Sequence, residues 1–152
     1  MKKLAAEITF MLILFYCSTA FSQPHSIKII ELNTEKEYVL IKNEGKQPVD
    51  LKGWLLHDHD YGKEEVYSYA FQDIQLKRGQ VLQMQSGITK KKGKEDERTY
   101  KLSGVAYYIR WSDRNVWNNE CDIAYLLDRN GKLIAESHKG TELTRKKKAS
   151  CR

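Results

Sequence analysis

The stretch "EYVLIKNEGKQPVDLKGWLLHD" (Glu37–Asp58) decides the fold. Val39 and Ile41 alternate with Tyr38, Leu40 and Lys42, so two faces of an extended strand are occupied in turn. "EGKQP" (Glu44–Pro48) follows as a turn. Alternation resumes at Val49 and Leu51, but the next large apolar residue, Trp54, lies three positions on. Gly53 in that gap predicts a bulge that resets which face points inward.

The same period of two recurs outward in both directions. Upstream is "IKIIEL" (Ile27–Leu32). Downstream, "VYSYAF" (Val66–Phe71) aligns Tyr67, Tyr69 and Phe71, and a turn at Lys77–Gln80 leads into "VLQMQS" (Val81–Ser86). "VAYYIRW" (Val105–Trp111) aligns Val105, Tyr107, Ile109 and Trp111. "CDIAYLLD" (Cys121–Asp128) and "KLIAES" (Lys132–Ser137) flank Asn130-Gly131, which predicts a tight hairpin. No helical period runs longer than a turn or two, and no strand–helix alternation occurs. Many short strands and turns predict an all-β, immunoglobulin-like antiparallel sandwich of about 7–9 strands. Trp54, Trp111 and Trp117 are its natural core or corner residues.

The protein has 152 residues, enough for one domain. Met1, Lys2 and Lys3, then the apolar run Ile8–Cys17, then small residues, have the layout of a secretory signal peptide. Residues 1–22 are expected to be removed after Ser22, with cleavage after Ala20 as the alternative. Residues 23–138 then form the domain and 139–152 a basic tail. Tyr16 before Cys17 argues against lipidation, where a small residue is normal. The expected destination is the periplasm, cell surface or exterior, with no stable transmembrane segment after cleavage. Export permits a disulfide between Cys121 and Cys151, worth about 3–4 kcal/mol on the loop-entropy model, but sequence does not show whether they meet.

These residues also carry a family resemblance. Glu37, Val39, Ile41 and Asn43, a Gly-containing turn, then Val-Asp-Leu-x-Gly53-Trp54-x-Leu are similar to the opening of the lamin-tail domain. Leu76 and Gly79, Ser86-Gly87, Trp111, the Trp117-Asn118 pair, Asp122 and the hairpin Gly131 follow in the family's order. The match covers about Ile27 to Ser137. Departures are Cys121, where bacterial members usually have Gly, Leu40, often polar in the family, and a Lys-rich insertion at Lys90–Lys101. The resemblance implies an immunoglobulin-like sandwich and a non-catalytic interaction module. Fold does not by itself fix function.

Three local clusters test that implication. Cys121 as a nucleophile needs a base and an orienting group, and on a strand Asp122 points to the opposite face. The bland reading is a small strand residue, with Asp122 holding backbone N–H groups of the Asn-rich loop. "HDHDYG" offers His57, Asp58, His59 and Asp60 as weak metal candidates, yet an extended backbone puts only the two imidazoles on one face. No metal or other cofactor is expected. The formal net charge is +6, concentrated at Lys90, Lys91, Lys92 and Lys94 and at Arg145, Lys146, Lys147 and Lys148. Such blocks neutralise DNA or acidic polysaccharide by counterion release, or are merely solvated.

Three functions remain open, in this order. The first is an exported, non-enzymatic module binding an unknown protein or surface polymer. The second is a binder of nucleic acid or acidic glycan, and the third a metal-dependent enzyme. The first requires an exposed apolar or aromatic patch on one sheet, for which Leu40, Tyr108 and Tyr125 are candidates.

Overall fold

A computed structural model describes residues 26–58, 67–87, 101–119 and 122–138. The expected signal peptide, the basic tail and the Cys121–Cys151 pair lie outside these residues. The described residues hold ten strands and no helix. They are β1 (Ile27–Asn33), β2 (Tyr38–Asn43), β3 (Val49–Asp50), β4 (Leu55–His57), β5 (Ser68–Ala70), β6 (Gln75–Leu76), β7 (Val81–Gln85), β8 (Tyr107–Arg110), β9 (Ile123–Leu127) and β10 (Leu133–His138). One sheet runs β1-β2-β7-β8, a second runs β10-β9-β4-β5, and β3 pairs with β6 in a short ribbon. The all-β sandwich expected from sequence is present; the two-residue strands β3 and β6 take the number to ten.

The core is what alternation dictates. Val39, Ile41, Leu82 and Met84 from the first sheet meet Leu56, Ala124 and Leu126 from the second, with Trp54, Phe71 and Trp117 among them. Each is nearly or fully buried, and each large apolar residue so placed contributes about 1.5–3 kcal/mol. On one side β1 and β10 lie against each other. Both strands carry a register shift, at Ile29/Glu31 and at Leu133/Ala135, which bends the edges of the two sheets. A run of edge-to-face rings links β5 to the end of β8: Phe71–Tyr69 at 5.3 Å, Tyr69–Trp111 at 6.4 Å and Trp111–Trp117 at 5.5 Å.

Three local expectations are corrected. The break at Gly53 is a turn and not a bulge: Trp54 N–H donates to Leu51 C=O at 2.9 Å, and Gly53 has φ +76°. A positive φ at the third turn position is what glycine supplies, and the turn sends β3 and β4 into different sheets. Glu37 is not a strand residue; it closes the β1–β2 turn with φ +59°. Val105 does not share a face with Tyr107 and Ile109. It sits before β8, with its N–H 3.5 Å from Leu102 C=O, on the other side of the sheet.

The placement of Val105 has a topological cause. β8 pairs with β7 in parallel, which requires a crossover instead of a hairpin. The end of that crossover, Leu102 to Val105, packs on Tyr38, Leu40 and Val81 and makes a second small core on the outside of the first sheet. Gln83 on the same face is fully buried, and its Oε1 accepts from Leu102 N–H at 2.8 Å. Leu40 is therefore apolar because it is covered.

Candidate interaction face

Register in the second sheet determines what its outer side presents. Leu56, Ala124 and Leu126 face the core, so their neighbours Leu55, Ile123, Tyr125 and Leu127 face outward. Leu55 lies opposite Ala70 and opposite Leu127, and Leu127 opposite Leu133. Directly opposed residues of an antiparallel pair project to the same side. Ala70, Leu55, Leu127 and Leu133 thus form an apolar row across all four strands, about 14 Å long at the usual strand spacing. Leu127 is buried in the middle, Leu55 is half-buried, and Leu133 is 47 % exposed at the end.

The next row is polar and aromatic: Ser68, His57, Tyr125 and Glu136. Burial pushes the Tyr125 phenol up, with the negative charges of Glu136 and Asp122 adding to it. Burial pushes the His57 imidazole down. His138, opposite Ile123, lies 3.1 Å from the Glu136 carboxylate on the rim. Of the three patch candidates, Tyr125 is on this face, half-buried. Leu40 is enclosed by Leu102 and Val105. Tyr108 is half-buried on the first sheet, its phenol also raised, by burial.

The other end of the sandwich carries a buried polar network. Glu37 is 1 % exposed, and its Oε2 accepts from Ser86 Oγ at 2.8 Å, Val116 N–H at 2.9 Å and Trp117 N–H at 3.3 Å. Its C=O accepts from Ser86 N–H at 2.8 Å and Gln85 Nε2 at 3.1 Å. One residue thereby ties the β1–β2 turn, the end of β7 and the loop carrying Trp117. The backbone at Glu37 is left-handed, and its carboxylate lies inward on these partners. Asn43 plays a similar part. Its Nδ2 donates to Gln47 C=O and Leu76 C=O, both at 2.8 Å, and its Oδ1 accepts from Gly45 N–H at 2.8 Å. Asp122 accepts from Asn118 N–H at 2.7 Å and from Ile123 N–H at 2.7 Å. On β1–β2, the Tyr38 hydroxyl donates to Glu31, and burial pushes that phenol up to about 12.

Glu37, Asn43 and Asp122 are bonded mainly to backbone, which is the arrangement of a scaffold. Sequence alone did not flag Gln83 or Gln85, because alternate glutamines on a strand read as a solvated face. His57 ends β4, and Asp58 N–H donates to Tyr67 C=O at 3.2 Å; His59 and Asp60 lie outside the described residues. Among the described residues, no three of His, Cys, Asp and Glu gather closely enough to hold a metal ion. Cys121 and both Lys/Arg blocks also lie outside the described residues. Of the described cations, Lys28 reaches Glu44 at 2.6 Å and Lys52 reaches Asp73 at 2.8 Å. Arg110 reaches Asp113 at 2.7 Å, and Arg129 lies 3.6 Å from Asp50. Lys28 holds the Glu44 carboxyl below its usual range.

The sequence profile of the Lamin Tail Domain family matches residues 20–141. The chain belongs to that family. No curated protein matches it. The lamin tail domain is an immunoglobulin-like sandwich, and the ordered motif residues of this protein occupy its turns and core: Gly53 and Gly131 at positive φ, Trp54 and Trp117 buried, Trp111 in the aromatic run. No helix among the described residues is long and apolar enough to cross a membrane.

Proposed function

We propose that this lamin tail domain is an exported, non-enzymatic interaction module that binds another protein or a surface polymer through the outer side of its second sheet. The observation carrying the reading is the row Ala70–Leu55–Leu127–Leu133, which continues across four strands on a side turned away from the core. A sandwich sheet ordinarily alternates apolar-in with polar-out; here the row's centre, Leu127, is already buried while its ends, Ala70 and Leu133, are exposed, so the apolar surface left for a partner lies at those ends. The family supports a module without catalysis, and the buried carboxylates Glu37 and Asp122 support backbone instead of facing a cleft. Export rests on the basic, apolar and small-residue order of residues 1–22.

The test is capture of partners from envelope and secreted fractions by the native protein and by Leu133→Lys, each at low and physiological salt. Leu133 is exposed, so the change leaves folding intact. Partners held by the native protein at both salts and lost with Leu133→Lys support the reading. Capture that Leu133→Lys does not alter, and that collapses as salt rises, transfers the function to polyanion binding through the Lys-rich blocks.

A further inference from the structure

The hairpin joining β9 and β10 places a reactive dipeptide under restraint. Asn130-Gly131 is the one Asn-Gly pair in the sequence. Glycine has no Cβ to hinder attack by its own amide nitrogen on the preceding Asn amide. Asn130 and Gly131 are both exposed, so water and base reach them.

The expected tight Asn-Gly turn would need positive φ at both residues. Gly131 has φ +77°, while Asn130 does not share it. The loop is instead a turn from Asp128 to Gly131 with Gly131 as a bulge. Gly131 N–H donates to Asp128 C=O at 2.9 Å, and Asp128 N–H donates to Lys132 C=O at 2.9 Å. The Asp128 carboxylate accepts from Asn130 N–H at 2.8 Å and from Lys132 N–H at 3.0 Å. One residue thus holds three successive amides, including the nitrogen that must react.

We propose that Asn130 is a site of spontaneous deamidation, and that Asp128 sets its rate by holding the turn. The Gly131 amide gives its proton to solvent base, and its nitrogen attacks Asn130 Cγ. A nitrogen–carbon bond forms, the Cγ–Nδ2 bond of Asn130 breaks, and ammonia leaves with a proton from solvent. Water then opens the five-membered imide at either carbonyl, giving aspartate or isoaspartate. Both products add one negative charge, and isoaspartate adds one backbone carbon three residues before Leu133. The inference is independent of the function assigned to the outer face.

Attack requires the Gly131 N–H to leave Asp128 C=O and Asn130 to rotate out of its own bond to the carboxylate. Each such bond slows the reaction by about fivefold. The experiment incubates the full-length protein in mildly alkaline heavy-oxygen water, then follows label uptake by mass spectrometry after cleavage at glutamates. A synthetic Leu127–Leu133 peptide and the urea-unfolded protein run alongside. The expected result is label at Asn130 ahead of every other Asn, more than tenfold slower in the native protein than in the peptide. Asp128→Ala should accelerate it about fivefold or more, with Asp128→Asn in between. Should Asp128→Ala fail to fold, Asp128→Asn and the native-versus-urea comparison carry the test. Equal rates in native protein and peptide, no acceleration in the Asp128 variants, or another Asn reacting first overturns the proposal.

Discussion

Replacing Glu37 by Ala should unfasten the end of the sandwich that holds Trp117. The carboxylate receives Ser86 Oγ, Val116 N–H and Trp117 N–H, and Val116 and Trp117 are themselves buried at 7 % and 3 % exposure. Alanine leaves the Val116 and Trp117 N–H groups without this acceptor in a site that the larger residue has vacated, while Ser86 Oγ keeps its bond to the residue-37 C=O at 3.2 Å. A buried donor left unsatisfied costs about 1–3 kcal/mol. The contact at 3.3 Å is the weaker of the two, so the sum is about 2–4 kcal/mol. With a urea slope of about 1.5 kcal/mol/M for a domain of this size, the midpoint falls by about 1.3–2.7 M. Glu37→Gln keeps one carbonyl oxygen and loses only the extra strength of a charged acceptor, so its cost is about 1 kcal/mol. Urea titration followed by tryptophan fluorescence reads both, since Trp117 sits beside the network. Glu37→Ala within about 0.5 kcal/mol of the native protein, the scatter of an inert surface change, would show that the carboxylate does not hold this end of the sandwich, as would Gln costing as much as Ala.

Other outcomes follow from the same geometry. Leu40→Ala should cost about 2–3 kcal/mol by urea titration, because Leu102 and Val105 enclose Leu40; an exposed Leu40 would give almost nothing. Gly87→Ala should be far worse than Gly131→Ala. Both glycines have positive φ, which costs any other residue about 1–2 kcal/mol. An added Cβ at Gly87 would also lie 2.8 Å from Glu37 Cγ and closer still to Asn115, whereas Gly131 has open space. Thermal denaturation of the two variants compares them. Stability should fall as pH drops from 6.5, since the unfolded imidazole of His57 takes a proton that the buried one resists. The loss should level off below the folded pKa and be absent in His57→Phe, as read from urea midpoints across that range.

How much of this was legible in the sequence depends on where a residue's environment is set. Alternation of Val39 and Ile41 against Tyr38 and Leu40 assigns faces locally, and both faces are occupied as expected. Trp54 and Trp117 are buried in the main core because their rings carry the largest apolar area to remove from water. The burial of Gln83 and Gln85 was not legible, because Gln83 is covered by a crossover returning from nineteen residues away and Gln85 reaches the C=O groups of Lys36 and Glu37, both distant in sequence. The departure at Leu40 gave one sign of that cover, since an apolar residue on a nominally solvated face needs a lid. The turn at Glu37 was hidden for a different reason: its left-handed backbone is held by Ser86, Val116 and Trp117, all distant in sequence. The outer apolar row emerges only once register pairs Leu55 with Leu127 and Leu127 with Leu133, a relation no single strand contains.

The claim on which the account turns is that the outer side of the second sheet is where a partner sits. A photo-reactive phenylalanine analogue placed at Leu133, and separately at Arg78 in the exposed β6–β7 turn, measures this in the native setting. The account predicts discrete cross-linked products from position 133 and none from position 78. Products from both positions alike, or from position 78 alone, would contradict it.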